Sequence, residues 1–351
     1  MNIPKNLGRS FRNLSVALSA LMMASSCTAY YYVRTDVSRD LEVDRYVYRE
    51  VPEGTGTPFS FASDSRWKVV KVDEPFAVDF YDGTESMTHY AYAGSANIGD
   101  LAVAWDLSGD GIVKPKESLG KRFRWFYTYY DYKAVFKGLE LPLPFDGYMS
   151  KAQTELFFRG ADSPKGWNGV EMFFLLDTVN QSFAQWYSDA VYLVMCNIFR
   201  PYCSSEQKTV LDTVKQSFME GVELESMFAM KPDEFEDRLA AVAPGSGFGK
   251  LYESNAKDID EAYDREAQVM DFFETAFVYS VDMPGRYFKG NAVDFIDGNP
   301  MWKVDAYRLM NGEVELAATT RKANVLIFIL TFAAIAALLL LFSRRLPGRR
   351  R

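Results

Sequence analysis

Val33-Arg34-Thr35-Asp36-Val37-Ser38-Arg39-Asp40-Leu41-Glu42-Val43-Asp44 decides the first half of the fold. Val33, Thr35, Val37, Leu41 and Val43 fall on one side, while Arg34, Asp36, Ser38, Asp40, Glu42 and Asp44 take the other. Successive side chains of a strand point to opposite faces, so this period of two predicts one long strand with a buried and a wet face. Outward from it, Pro52-Glu53-Gly54-Thr55-Gly56-Thr57-Pro58 reads as a loop. Strand-like runs resume over residues 67–72, 76–81, 89–93, 101–105 and 122–136. Residues 28–145 are therefore expected to be β-rich.

The character changes after Leu141-Pro142-Leu143-Pro144. Residues 150–159, 167–199, 204–230, 232–243 and 253–273 carry helical spacing, and Lys231-Pro232-Asp233-Glu234 is a helix start with acids in its first turn. Phe183, Trp186 and Tyr187, and the run from Met172 to Leu176, read as helix core. Pro244-Gly245-Ser246-Gly247-Phe248-Gly249 is a break between helices; it lacks the spacing and the preceding strand of a phosphate loop. From Phe273 the pattern returns to β, with runs at 277–281, 292–296, 302–307 and 314–318. The economical fold is α+β: one β domain formed by residues 28–145 and 273–320, with a helical insertion at 146–272. A separate β domain followed by a helical domain is the alternative.

Both ends point to a membrane. Residues 1–27 join Lys5, Arg9 and Arg12 to an apolar run from Leu14 to Met23, and close on Ala24-Ser25-Ser26-Cys27. Basic, apolar and small-residue regions in that order make an export signal, and small residues before a cysteine resemble a lipobox, which predicts acylation of Cys27. Signal cleavage nearby, leaving Cys27 as a free thiol, is the alternative. Residues 323–342 contain no charge and, at about 1.5 Å per residue, reach about 30 Å, enough to cross a bilayer. A buried core helix would carry a polar face. Arg344, Arg345, Arg349, Arg350 and Arg351 follow the span and only Arg321 and Lys322 precede it. Positive charge stays inside, so the 343–351 tail is expected in the cytoplasm and residues 28–322 outside. The chain then reads as a single-pass protein of a bacterial cell membrane.

Of the 39 Lys and Arg, ten lie in residues 1–27 and 321–351, while all 47 acids lie between, leaving residues 28–320 at −18. Such a surface repels the phosphate backbone, so no nucleic-acid partner is expected. It suits divalent cations or a basic protein. Cys196 and Cys203 flank Pro201, which would break a helix; in an oxidising compartment they are expected to form a disulfide across the corner, with two reduced buried thiols as the alternative.

A strand ending in Met283-Pro284-Gly285, then Gly290-Asn291, then the Trp302 strand and a membrane helix resembles the LppM-like group of bacterial membrane-anchored lipoproteins. The likeness covers the two β ends and not the helical middle. It implies a β fold at the envelope with a face for a lipid or protein ligand, and no catalytic residues.

Three chemical readings remain. Asp106-Leu107-Ser108-Gly109-Asp110-Gly111-Ile112-Val113-Lys114-Pro115-Lys116-Glu117 resembles an EF-hand loop. Asp106, Ser108, Asp110 and Glu117 and the Ile112 carbonyl would ligate Ca2+, although Lys114 and Lys116 oppose it and an Asp-Gly turn is the alternative. The aromatic run of residues 122–130 places Arg122, Arg124, Phe126, Thr128 and Tyr130 on one side of a continuous strand and Phe123, Trp125, Tyr127 and Tyr129 on the other, in packing or as a ligand platform. With His89 the only histidine, no Ser/His/Asp triad or histidine metal centre can be assembled. A noncatalytic binding or scaffolding role is the expectation; a carboxylate-dependent hydrolase with its site in the helices, or a calcium-stabilised adhesive module, are the alternatives.

Overall fold

The computed structural model describes residues 29–345 apart from 52–58, 60, 62–65, 81–82, 107–111, 161–165, 170–171, 173–176, 223–225, 228–229 and 274. The export signal, Cys27, Ser108, Asp110 and the tail beyond residue 345 lie outside the described residues.

The opening alternation is a hairpin, not one strand. β1 (Ala29–Val37) and β2 (Val43–Arg49) pair antiparallel, with Val37 opposite Val43. Ser38 closes the connection: its hydroxyl accepts from the N–H of Asp40 (3.2 Å) and of Glu42 (3.0 Å), and Leu41 takes a left-handed φ of 68°. Because residues opposite each other in a hairpin share a face, odd-numbered residues stay on the core side through the turn, and the period of two carries no trace of the reversal.

β3 (Lys68–Phe80) and β4 (Gly83–Ser95) extend the sheet. After the short pair β5 (Trp105–Asp106) and β6 (Ile112–Val113) come β7 (Lys116–Arg124) and β8 (Tyr127–Phe136), then the C-terminal strands β9 (Thr275–Asp282), β10 (Arg286–Gly290), β11 (Asp294–Ile296), β12 (Asn299–Asp305) and β13 (Val314–Ala323). One sheet has seven strands in the order β11-β12-β9-β1-β2-β4-β3, and a second has four in the order β10-β13-β8-β7. N- and C-terminal strands thus share both sheets. β1 lies parallel to β9 from Ala29 opposite Thr275 to Asp36 opposite Asp282, and β8 pairs antiparallel with β13.

The core sits between the sheets. Val33, Val47, Ala91, Phe277, Tyr279 and Trp302 of the large sheet meet Tyr130, Tyr132, Phe136, Leu316 and Ala318 of the small one. Tyr132 lies 5.9 Å from Trp302 and Phe136 5.3 Å from Tyr279, ring centre to ring centre. Trp302 also donates its indole N–H to Asn291 (2.9 Å). The Pro284-Gly285 turn joins β9 to β10; Gly285 has φ 109°, and a Cβ there would lie 2.4 Å from the Arg321 carbonyl oxygen, so glycine is required.

Among the described residues, helices follow β8: α1 (Lys151–Arg159), α2 (Asp177–Phe199), α3 (Ser205–Thr213), α4 (Lys215–Met219), α5 (Pro232–Val242) and α6 (Leu251–Phe273). Ser150 and Ser204 cap α1 and α3 through reciprocal boxes with Gln153 and Gln207. Two cores serve them, one around Phe157, Phe158, Phe183 and Trp186, the other around Phe199, Phe218, Phe235 and Leu239. The long helix expected over 204–230 breaks at Val214, and α2 begins at Asp177 rather than at residue 167. The 244–249 break stands between α5 and α6 as expected. Glu236 closes it, accepting from the N–H of Gly249 (2.8 Å), Leu251 (2.7 Å) and Tyr252 (2.8 Å).

α7 (Ala306–Met310) follows β12, and β13 runs into α8 (Val325–Arg345) with Asn324 alone between them. Within α8 the stretch Val325–Ser343 is long and apolar enough to cross a membrane, and none of it is buried. The expected span therefore starts two residues later, because Ala323 belongs to the sheet.

Candidate functional site: an aromatic cleft on the seven-stranded sheet

The face of the large sheet turned away from the core is rich in tyrosine. With Val33 and Thr35 buried inward, Tyr32, Arg34 and Asp36 of β1 point outward, and register carries Tyr46 and Tyr48 of β2 and Tyr90 and Tyr92 of β4 to the same side. Their rings form a connected row: Tyr32 to Tyr48 is 5.8 Å, Tyr48 to Tyr46 6.0 Å, Tyr46 to Tyr92 4.9 Å and Tyr48 to Tyr90 5.5 Å. Such pairs add to sheet stability beyond the area they bury. The register of β3 shifts between Lys71 and Phe76, and Phe76 meets the row edge-on, 5.4 Å from Tyr48.

One end of this row is a half-open cleft of about 370 Å³, whose lining includes Arg34, Tyr48, Phe76, Asp79, Phe295 and Asp297. Arg34 donates through Nε to Asp36 (2.8 Å), and that bond raises the guanidinium's pKa. Burial pushes the Tyr48 hydroxyl up to about 12, so it stays a neutral donor and acceptor across the physiological range. Phe76 and Phe295 remain 39% and 45% exposed, an apolar wall beside one guanidinium and two exposed carboxylates. That chemistry suits a ligand with a flat face to stack and polar groups to bond. No family model, curated protein or solved structure matches the chain.

The residues singled out from sequence are dispersed. Glu117, the twelfth position of the calcium-like loop, faces the inter-sheet core with a fully buried side chain. Arg45 grips it with two hydrogen bonds, Nη1 to Oε2 (2.6 Å) and Nη2 to Oε1 (2.8 Å), and Tyr132 donates to Oε1 (2.9 Å). Arg45 also donates to Thr35 Oγ1 and to the Leu101 carbonyl. Burial alone would lower the Arg45 pKa; the Glu117 charge more than reverses this. A calcium ion on the loop would have to compete with Arg45 for Glu117. Asp106 and Ile112 pair as the ends of β5 and β6, and among the described residues no group of three or more His, Cys, Asp or Glu could hold a metal.

The expected disulfide is corrected. Cys196 and Cys203 are free thiols, both buried in the α2–α5 core. The helix does stop where Pro201 requires, at Phe199, followed by a single tight turn over residues 200–202. Burial raises the Cys196 thiol to about 11, which favours the protonated, unreactive form. His89 lies in β4, its Nδ1 2.9 Å from Thr88 Oγ1, away from the cleft lining.

The aromatic run of 122–136 is also corrected, being a hairpin with Trp125-Phe126 as its two-residue turn. Arg124 pairs with Tyr127 and Phe123 with Thr128, so Phe123 shares the face of Thr128 and Tyr130 instead of opposing it. Residues 121–126 are all exposed, and this tip lies against the start of α8. The cleft itself was missed. Tyr46/Tyr48 and Tyr90/Tyr92 do show the period of two, but Phe76 and Phe295 arrive only through tertiary structure.

Proposed function

We propose that the chain is a noncatalytic, membrane-tethered protein that binds or scaffolds in the bacterial cell envelope. In this reading α8 spans the inner membrane once, residues 28–322 stand on the extracytoplasmic side, the 343–351 tail is cytoplasmic, and lipid on Cys27 adds a second tether. The observation that carries it is α8, whose stretch Val325–Ser343 is long, apolar and unburied and follows the sheet with Asn324 alone between them. The shared sheets support residues 146–272 as an insertion into one β unit. The LppM-like resemblance of the Met283-Pro284-Gly285 and Trp302 segments is part of the same reading and rests on sequence alone.

Binding is favoured over hydrolysis by the state of the carboxylates. Asp79 and Asp297 at the cleft are exposed. Buried ones have structural partners: Glu236 caps α6, Asp189 accepts from Tyr148 and pairs with Lys215, and Asp305 pairs with Arg308. The cleft is therefore the proposed contact for an envelope lipid or protein.

Carbonate extraction of membranes tests the tethers. The full chain is expected to pellet, as are the chain lacking 325–345 and the Cys27→Ser variant, while the two changes together release it. Release by the deletion alone would contradict lipidation, and a double variant that still pellets would contradict the anchor reading.

A further inference from the structure

We infer that the tip of the β7–β8 hairpin, Lys121-Arg122-Phe123-Arg124-Trp125-Phe126, inserts into the same bilayer leaflet from which α8 emerges, giving the protein a second membrane contact. The inference rests on α8 being a membrane span. Phe123 and Trp125 are 62% and 61% exposed and Phe126 37%, an aromatic patch that water does not favour and that soluble surfaces seldom carry. What covers it is indicated by its position. Trp125 donates its indole N–H to Thr331 Oγ1 (3.1 Å), and the Phe126 ring packs at a tilt against Phe328, 4.6 Å centre to centre. Thr331 lies about 9 Å along the helix from Val325, where the apolar stretch begins. The hairpin tip thus runs beside the first two turns of the span, at the depth where tryptophan and tyrosine belts form.

Asn324 holds it there. Its N–H donates to the Phe126 carbonyl (2.8 Å), and its side-chain amide to the carbonyls of Arg124 and Trp125 (both 3.1 Å), while its oxygen accepts from Thr128 Oγ1 (2.8 Å). Around the aromatics stand Lys121, Arg122, Arg124 and Arg321, the last over the Phe288 ring at 4.7 Å, and Phe288 is itself 45% exposed. Long cationic side chains at that level can carry their charge to the headgroups while their stems lie in the apolar layer. Local excess of positive charge on an ectodomain (residues 28–322) of net −16 falls where anionic headgroups would be.

Tryptophan depth quenching reads this directly. The full chain would be placed in nanodiscs of brominated and of unbrominated phosphatidylcholine. Trp67, Trp105, Trp186 and Trp302 are buried and Trp167 is partly so, leaving Trp125 as the exposed indole. Brominated lipid is expected to quench part of the emission, and Trp125→Phe to abolish that loss. Leu338→Trp in the Trp125→Phe background reports on the span itself. Quenching at Leu338→Trp, with no lipid quenching attributable to Trp125, would overturn the inference and leave the span standing. Absence of quenching at Leu338→Trp would remove both.

Discussion

Arg45 and Glu117 are a fully buried charge pair joined across the two sheets, set in a largely apolar core. Removing one partner of such a pair leaves a buried charge unmatched, at a cost of about 3–5 kcal/mol, whereas replacing both by apolar residues is often neutral. Glu117→Gln or Arg45→Met alone should therefore lower the stability of the detergent-solubilised chain by several kcal/mol in a urea melt, and the double variant Arg45→Met/Glu117→Leu should recover most of it. Equal losses in the double variant would mean that the pair itself, and not its balance, stabilises the core. Nothing local marks Glu117 for this role: the oxygen spacing of residues 106–117 is equally good for a metal loop, and the partner lies 72 positions away in β2. The cysteines illustrate the same limit. Their spacing across Pro201 forecast the corner, but whether two thiols beside a turn join depends on how each side chain packs.

At the scale of elements, Asn324 does more than separate a strand from a helix. It satisfies the carbonyls of the hairpin turn and its own carbonyl accepts from the N–H of Ile327 (2.9 Å) and Phe328 (3.2 Å) at the start of α8. Loss of a capping side chain of this kind costs about 1 kcal/mol, equivalent to about a fivefold change in a local opening equilibrium. Asn324→Ala is expected to speed amide exchange at Trp125 and Phe126 by about that factor, with the β1–β2 hairpin unchanged. Unaltered exchange at the tip would show that the strand pairing of β8 with β13 alone holds it. Periodicity located most strands and helices here, yet it failed at both hairpins, Ser38–Glu42 and Trp125-Phe126. In the first, the turn preserves the parity of the inward side chains; in the second, aromatic residues with strong strand preference occupy the turn itself. The helix start at Pro232 was legible because proline and acids in a first turn are a local signal.

For the whole molecule, the absence of a linker at Asn324 matters most. In the proposed reading, a strand that enters a membrane helix without slack transmits orientation, so the small sheet, and with it the large one packed against it, stands at a set angle to the bilayer. The tyrosine cleft is then presented at a fixed orientation, which suits a binding or scaffolding protein. Apolarity over twenty residues made a helix long enough to span a bilayer readable from sequence alone, since length against bilayer thickness needs no tertiary information. The cleft was not readable in this way, because its wall combines β1, β2, β3 and the β11 turn.

Sidedness in the membrane tests the account most directly. The full chain, tagged at its C-terminus, would be expressed in a bacterium and spheroplasts treated with protease from outside. The ectodomain is expected to be digested, and a small tagged fragment containing α8 and the basic tail to survive until the membrane is opened. An ectodomain that survives intact in sealed spheroplasts, with the tag removed, would contradict it.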